Sequence, residues 1–344
     1  MQITLQKSNQ LKSIAILMML FLHLFNRDYH GLFEPLVFIG ILPLSYYISL
    51  FCDACVPIFA FVSGYGLYFK YVQNSKTYGV ANSIRLKKLF INYWIILLLF
   101  AVILGAILGT PGYPGSFLKL LLNLTAVNPS YNGAWWFLTI YILFVMSSAF
   151  WFRLLGQLNP YFFITVLLLV YGIAFYFRVY KVAIFENEIL HWLHQRSALF
   201  FCTLVQFMVG AFALKFEWHN KIRVLFNQIK FKNSLVLSMI GFLVVFHGLI
   251  PNFIVAPFTA LGFLFLFLEL ELPLFFNKIL DFFTPHATNI WLIHMFFYIT
   301  FFADFIYSPK YVFPIFLLLV GCSILSSIVV NTINKWIVSK IMVL

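Results

Sequence analysis

Lys12 and His23 stand eleven residues apart in the first apolar stretch, LKSIAILMMLFLHLF, and hydrocarbon excludes both side chains. At ~100° per residue, eleven steps amount to about three turns plus ~20°, so both project from one helix face, ~16 Å apart along its axis. The spacing puts an ammonium near one membrane surface and an imidazole beyond the bilayer midplane. An ammonium holds an anion, and an imidazole titrating near ~6.5 accepts a proton from a hydroxyl and returns it. The structural alternative is a lysine snorkelling at the helix end and a histidine hydrogen-bonded to a neighbouring helix.

Three further groups bear on the same chemistry. The segment PIFAFVSGYGLYFKY places Ser63, Gly64 and Gly66 near one end of a span, where small residues serve helix packing or leave room for a ligand. In RLKKLF, Arg85 and Lys88 share a face at a helix start with Lys87 beside them, which suits either a basic membrane flank or a phosphate site. In NGAWWFLTIYIL, Trp135 and Trp136 fit an interfacial belt or a platform for a sugar ring. Among lesser candidates, His191 and His194 form an isolated H-x2-H, a weak metal signal, so no metal site is expected. His247 sits where it could line an acceptor side, and Glu269 and Glu271 sit where they could pair with basic loops. The four cysteines are too scattered for a disulfide framework, and Cys52 and Cys55 read as small apolar residues at a helix entrance.

These side chains must be carried by membrane helices. Of 344 residues, 63% are hydrophobic and only 9% charged, a balance that excludes a water-soluble domain of this length. The pattern predicts an all-α polytopic membrane protein, a single domain over 1–344 with about ten transmembrane helices. The spans fall at 11–26, 44–69, 89–109, 135–152, 161–179, 197–216, 234–250, 254–270, 288–306 and 312–332. Pro43, Pro57 and Asp53 argue against a separate crossing within 33–53. No small-x-small site follows the first apolar run, so a cleavable signal peptide is not expected. With both termini cytoplasmic, only Arg27, Lys119, Arg178, Lys181, Arg196 and Lys310 of the 22 Lys and Arg lie outside. That asymmetry is a positive-inside pattern for the cell membrane, so the net charge of +12 is explained by topology and anionic lipid, without nucleic acid.

Taken in order, these segments resemble the acyltransferase-3 family of integral membrane acyltransferases. The family has a basic residue, ten intervening residues and a His in its first span, here Lys12 and His23. A vPiFfflSGf-like segment follows, here VPIFAFVSGYGLY with Ser63 and Gly64, then an R-x-x-R-like pair, here Arg85 and Lys88. A WWFL-like segment begins at Trp135, and ATNIWLIHMFF supplies Thr288, Trp291 and His294 of a late S-x-x-i-Y-L-i-H-like helix. Lysine replaces the usual arginine at 12 and 88, keeping charge but losing the bidentate fork.

The resemblance implies transfer of an acyl group, most often acetyl, from a coenzyme A thioester to a hydroxyl of a cell-surface glycan or its lipid-linked precursor. It implies catalytic roles for His23, Lys12 and Ser63 and donor binding by Lys12, Arg85 and Lys88. Trp135, Trp136 and His294 would be on the acceptor side. Acetyl-CoA or another acyl-CoA would be the donor, membrane lipid and glycan the partners. The competing class is a glycan or lipid-linked sugar exporter, against which no internal repeat or paired broken helices are found. A glycan polymerase would be expected to carry a large outer loop, which is lacking.

Overall fold

A computed structural model describes residues 2–250 and 254–341. Among the described residues, eight helices are long and apolar enough to cross a membrane. They are α1 (Leu5–Phe25), α2 (Leu44–Gln73), α3 (Tyr78–Ile107), α4 (Gly133–Gln157), α5 (Pro160–Val179), α6 (Glu188–Lys215), α7 (Lys232–Leu249) and α10 (Val312–Lys340). Between the last two lie α8 (Ala256–Glu269) and α9 (Ala287–Met295). Eight of the about ten expected spans are thus single helices of full crossing length. At 1.5 Å per residue, the 14 residues of α8 cover only ~21 Å of a hydrocarbon core ~30 Å thick. The chain after α9 widens to a π-helical turn over Phe296–Phe301, breaks at Phe302 and resumes as Ala303–Tyr307.

Local chemistry sets the helix ends. The Thr4 side chain accepts from Lys7 N, Asn159 caps α5 ahead of Pro160, and Asn187 accepts from Ile189 N and Leu190 N at the start of α6. Residues 33–53 add no crossing: Phe38–Ile39 pairs antiparallel with Leu42–Pro43, and α2 follows at once. Inside α2 the helix tightens to a 3₁₀ turn at Cys52–Ala54. Pro57 has no N–H to offer the carbonyl of residue 53, so the regular ladder is interrupted where Asp53 sits.

The bundle is tightest where α2 crosses α6. A Cβ on Gly64 would overlap the Phe207 carbonyl, and one on Gly210 would overlap the Phe61 carbonyl and crowd Tyr65 N. Two glycines thus let two backbones touch, the small-residue packing that lipid-embedded helices rely on. Gly64 therefore serves packing and leaves no room for a ligand. Gly66 has nothing within 4 Å of its hypothetical Cβ and faces open space.

The start of α4 is pinned to α9 by side-chain donors. Asn132 Nδ2 and Trp135 Nε1 donate to the Leu292 carbonyl at 3.0 and 2.9 Å, and Trp291 Nε1 donates to Ala134 O at 3.0 Å. The α2–α6 crossing makes a contrast of variants. Gly210→Val should lower the thermal midpoint of the detergent-purified protein sharply, since overpacking costs about 1–3 kcal/mol or more. Gly66→Ala should leave the midpoint unchanged.

Candidate functional site

Two cavities lie back to back along α1. The first, about 620 Å³, opens at the end of the bundle that carries Lys12, Lys70 and Arg85, and Ser63, Gly66 and Thr288 also line it. The second, about 170 Å³, is lined by His23, Asp53, Trp136, Arg178, Thr203 and Gln206. Met19, Phe137 and Trp291 line both and form the wall between them. One helix therefore presents its lysine to the basic cavity and its histidine to the other. Lys12, Ser63 and Arg85 thus line one cavity and His23 the other.

The basic cavity holds its cations by short local contacts. Lys12 Nζ lies 3.3 Å from Asn9 Oδ1, one turn below it on α1. Arg85 Nη1 donates to Asn82 Oδ1 at 2.6 Å, while Asn82 Nδ2 donates to the Val145 carbonyl of α4 at 3.2 Å. Asn82 thereby turns Arg85 inward. Lys88 lies about 60° further round the helix, is exposed and lines neither cavity. Its placement in the donor site with Arg85 is not what the structure shows. Ser63 Oγ donates to Phe59 O at 2.7 Å, which spends its proton and leaves only its lone pairs for a ligand.

In the other cavity, the roles of the two histidines can be assigned by following donors and acceptors. His294 is fully buried, and its Nδ1 lies 2.8 Å from Trp291 O and 3.0 Å from Ile290 O. Carbonyls only accept, so Nδ1 of a neutral His294 carries the proton and Nε2 is an acceptor. His23 Nδ1 lies 2.7 Å from that Nε2, with the rings 3° from parallel. His23 therefore donates from Nδ1, and its Nε2 keeps a free lone pair. Two backbone carbonyls thus fix the tautomer of His23 through the His294 ring, leaving a nitrogen able to accept a proton. Nearby, Arg27 Nη2 donates to the His23 carbonyl at 2.8 Å and sits over the Tyr298 ring.

The two tryptophans separate. Trp135 is fully buried and hydrogen-bonded to Leu292 O, so a sugar platform there is corrected to a packing role. Trp136 lines the His23 cavity, with the Arg178 guanidinium 5.4 Å from its ring centroid. His294 positions His23 rather than facing a ligand.

The lesser candidates fall elsewhere. His247 is buried with Nδ1 2.9 Å from Thr259 Oγ1, outside both cavities. His191 pairs with Gln195, and His194 lines an apolar hollow between α5 and α6. Lys232 bridges Glu269 and Glu271 at 3.9 and 3.0 Å, and its hydrogen bond holds the exposed Glu271 carboxylate below the usual range.

Four polar lining residues, Asp53, Arg178, Thr203 and Gln206, escaped the sequence reading as site members. Asp53 entered only as an argument against a crossing, Arg178 only in a charge count, and Thr203 and Gln206 not at all. A carboxyl within an apolar span was the available signal for Asp53.

A membrane bundle that presents an oriented histidine to one cavity and a basic cluster to the cavity behind it fits a group-transfer enzyme. The family model for the acyltransferase domain, acyltransferase-3, matches residues 6–332, and the chain belongs to that family. It is a multi-pass membrane protein and an acyltransferase by family. No curated protein and no solved structure matches the chain.

Replacing His294 by Phe keeps a ring of similar size but removes the acceptor for His23. The rate constant for acyl transfer should fall by about 10²-fold or more, as expected when a general base loses its tautomer, with donor affinity unchanged. Turnover and donor binding measured on the same preparation check this.

Proposed function

We propose that the protein is an O-acyltransferase that moves an acyl group, most simply acetyl, from a coenzyme A thioester to a hydroxyl of a cell-surface glycan or its lipid-linked precursor. The observation that carries this reading is the pair of cavities on one helix, basic on one side of the Met19–Phe137–Trp291 wall and holding an oriented histidine on the other. Coenzyme A carries several phosphates on a long, thin arm. Lys12 and Arg85 suit the phosphates at the open end, and the arm runs inward past Ser63 towards the wall. The basic cavity would face the cytoplasm of a cell whose plasma membrane holds the protein, following the basic-residue asymmetry.

The chemistry follows from the two histidines. A sugar hydroxyl is a poor nucleophile at neutral pH. His23 Nε2 accepts its proton as the oxygen attacks the thioester carbonyl, and the hydrogen bond from His23 Nδ1 to His294 holds the ring in register. Collapse of the tetrahedral intermediate breaks the carbon–sulfur bond, forms the ester and expels the thiolate. The His23 proton then passes to that thiolate. Met19, an unbranched and adaptable side chain, is the member of the wall best suited to swing aside and let the acyl group pass. Membership of an acyltransferase family favours this reading over glycan export.

Variants separate binding from chemistry. Lys12→Ala should raise the KM for acetyl-CoA about tenfold with a smaller fall in kcat, and Lys12→Arg should retain activity. Lys88→Ala, altering an exposed side chain outside the cavity, should change neither. His23→Ala should lower kcat by roughly 10²–10⁴-fold with little change in donor affinity. Steady-state kinetics on folded, membrane-inserted protein decides the matter; an unchanged rate in His23→Ala removes the proposed mechanism.

A further inference from the structure

The cavity beside His23 contains a polar atom that the fold leaves unsatisfied. Gln206, in the middle of α6, is only 5% exposed and lines this cavity, and its Oε1 has no hydrogen-bond partner. Buried amide oxygens are nearly always paired, and an orphan costs about 1–3 kcal/mol. Such an atom in the wall of a cavity points to a donor supplied from outside the chain. One turn away on the same helix, Thr203 gives its own proton to Leu199 O at 2.7 Å, leaving its oxygen able to accept.

Across the cavity, the 3₁₀ turn in α2 presents Asp53, another acceptor of hydroxyl protons. Asp53 and Arg178 line the same cavity and lie within electrostatic range of each other. An anion entering here would meet the carboxyl as well as the guanidinium, and in a low-dielectric site that like-charge contact is costly. The lining thus combines acceptors for hydroxyl protons, a charge pair that balances itself and an indole at Trp136, in a space of about 170 Å³.

We propose that this cavity is a subsite for one neutral, hydroxyl-rich sugar ring of the acceptor, in which Gln206 and Asp53 accept hydrogen bonds from hydroxyls beside the one deprotonated by His23. This assignment rests on the acyl-transfer reading and narrows it: it excludes uronic and phosphorylated rings from the reacting position. Selectivity comes from the polar groups themselves, because a ring lacking the matching hydroxyl leaves Gln206 unpaired in the complex as well.

The test uses the full-length protein in lipid nanodiscs, titrated with the methyl glycoside of a neutral hexose and of the corresponding uronic acid. Binding is followed by tryptophan fluorescence, and acetyl transfer from labelled acetyl-CoA is measured in parallel. The wild type should bind the neutral glycoside in preference to the uronate. Gln206→Leu should weaken neutral-glycoside binding about tenfold, the loss of one buried hydrogen bond, while acetyl-CoA affinity is unchanged. Its thermal midpoint without ligand should be no lower than wild type, because an unmatched polar group has been removed; a purely structural Gln206 would lower it.

Asp53→Asn, nearly isosteric, should shift the preference towards the uronate by removing the opposing carboxyl. Gln206→Leu binding the neutral glycoside as wild type does, or a wild type that prefers the uronate or binds neither glycoside up to its solubility, overturns the subsite. Glycoside binding as described but no acetyl transferred to it overturns the acyl-transfer reading and leaves the subsite standing.

Discussion

A polar side chain inside hydrocarbon must find its partner within the protein, and this requirement governs the arrangement of the bundle. His23 and His294 stand 271 residues apart in sequence, yet His23 Nδ1 supplies the donor that completes the hydrogen bonding of the buried His294. Asn289 behaves similarly in α9, accepting from Asn92 of α3 and donating to Ser327 and Asn331 of α10. Close backbone approach serves the same end elsewhere, and Gly64 and Gly210 allow it between α2 and α6. The cavities are the spaces left where polar groups face inward.

Division of these spaces by Met19, Phe137 and Trp291 gives the architecture its functional content. On the proposed reading, the cavity lined by Lys12 and Arg85 would attract a charged, flexible donor without exposing His23 to it. An acyl thioester kept behind the apolar wall would, on the same reading, be held apart from His23 until the transfer itself. The His294 contact fixes which His23 nitrogen keeps a free lone pair, so the proposed mechanism would need no reorganisation of the ring.

Much of this was legible in the sequence. Helical geometry alone put Lys12 and His23 on one face, and low charge with long apolar runs gave a helical membrane protein. The count of full-length crossings was not legible. Apolar composition marks α8 and the segment around α9 as membrane-like, but tertiary packing decides that one is short and the other broken.

Lys88 shares a helix face with Arg85 in projection, and only Asn82's link to Val145 shows which of them turns inward. Trp135 and Trp136 are indistinguishable as an aromatic pair until Leu292 supplies an acceptor to the first. Asp53, Arg178 and Gln206 come from three helices with no sequence proximity, and a lone uncharged Gln in an apolar run carries no periodic signal.

The proposed transfer across the wall between the two cavities would carry the acyl group from a donor on one side of the membrane to a hydroxyl on the other. Sealed proteoliposomes test it directly, with labelled acetyl-CoA added only outside and a neutral methyl hexoside enclosed only inside. The account predicts labelled ester in the lumen from the wild type and none from His23→Ala. Ester formed only when donor and acceptor share a compartment would contradict it.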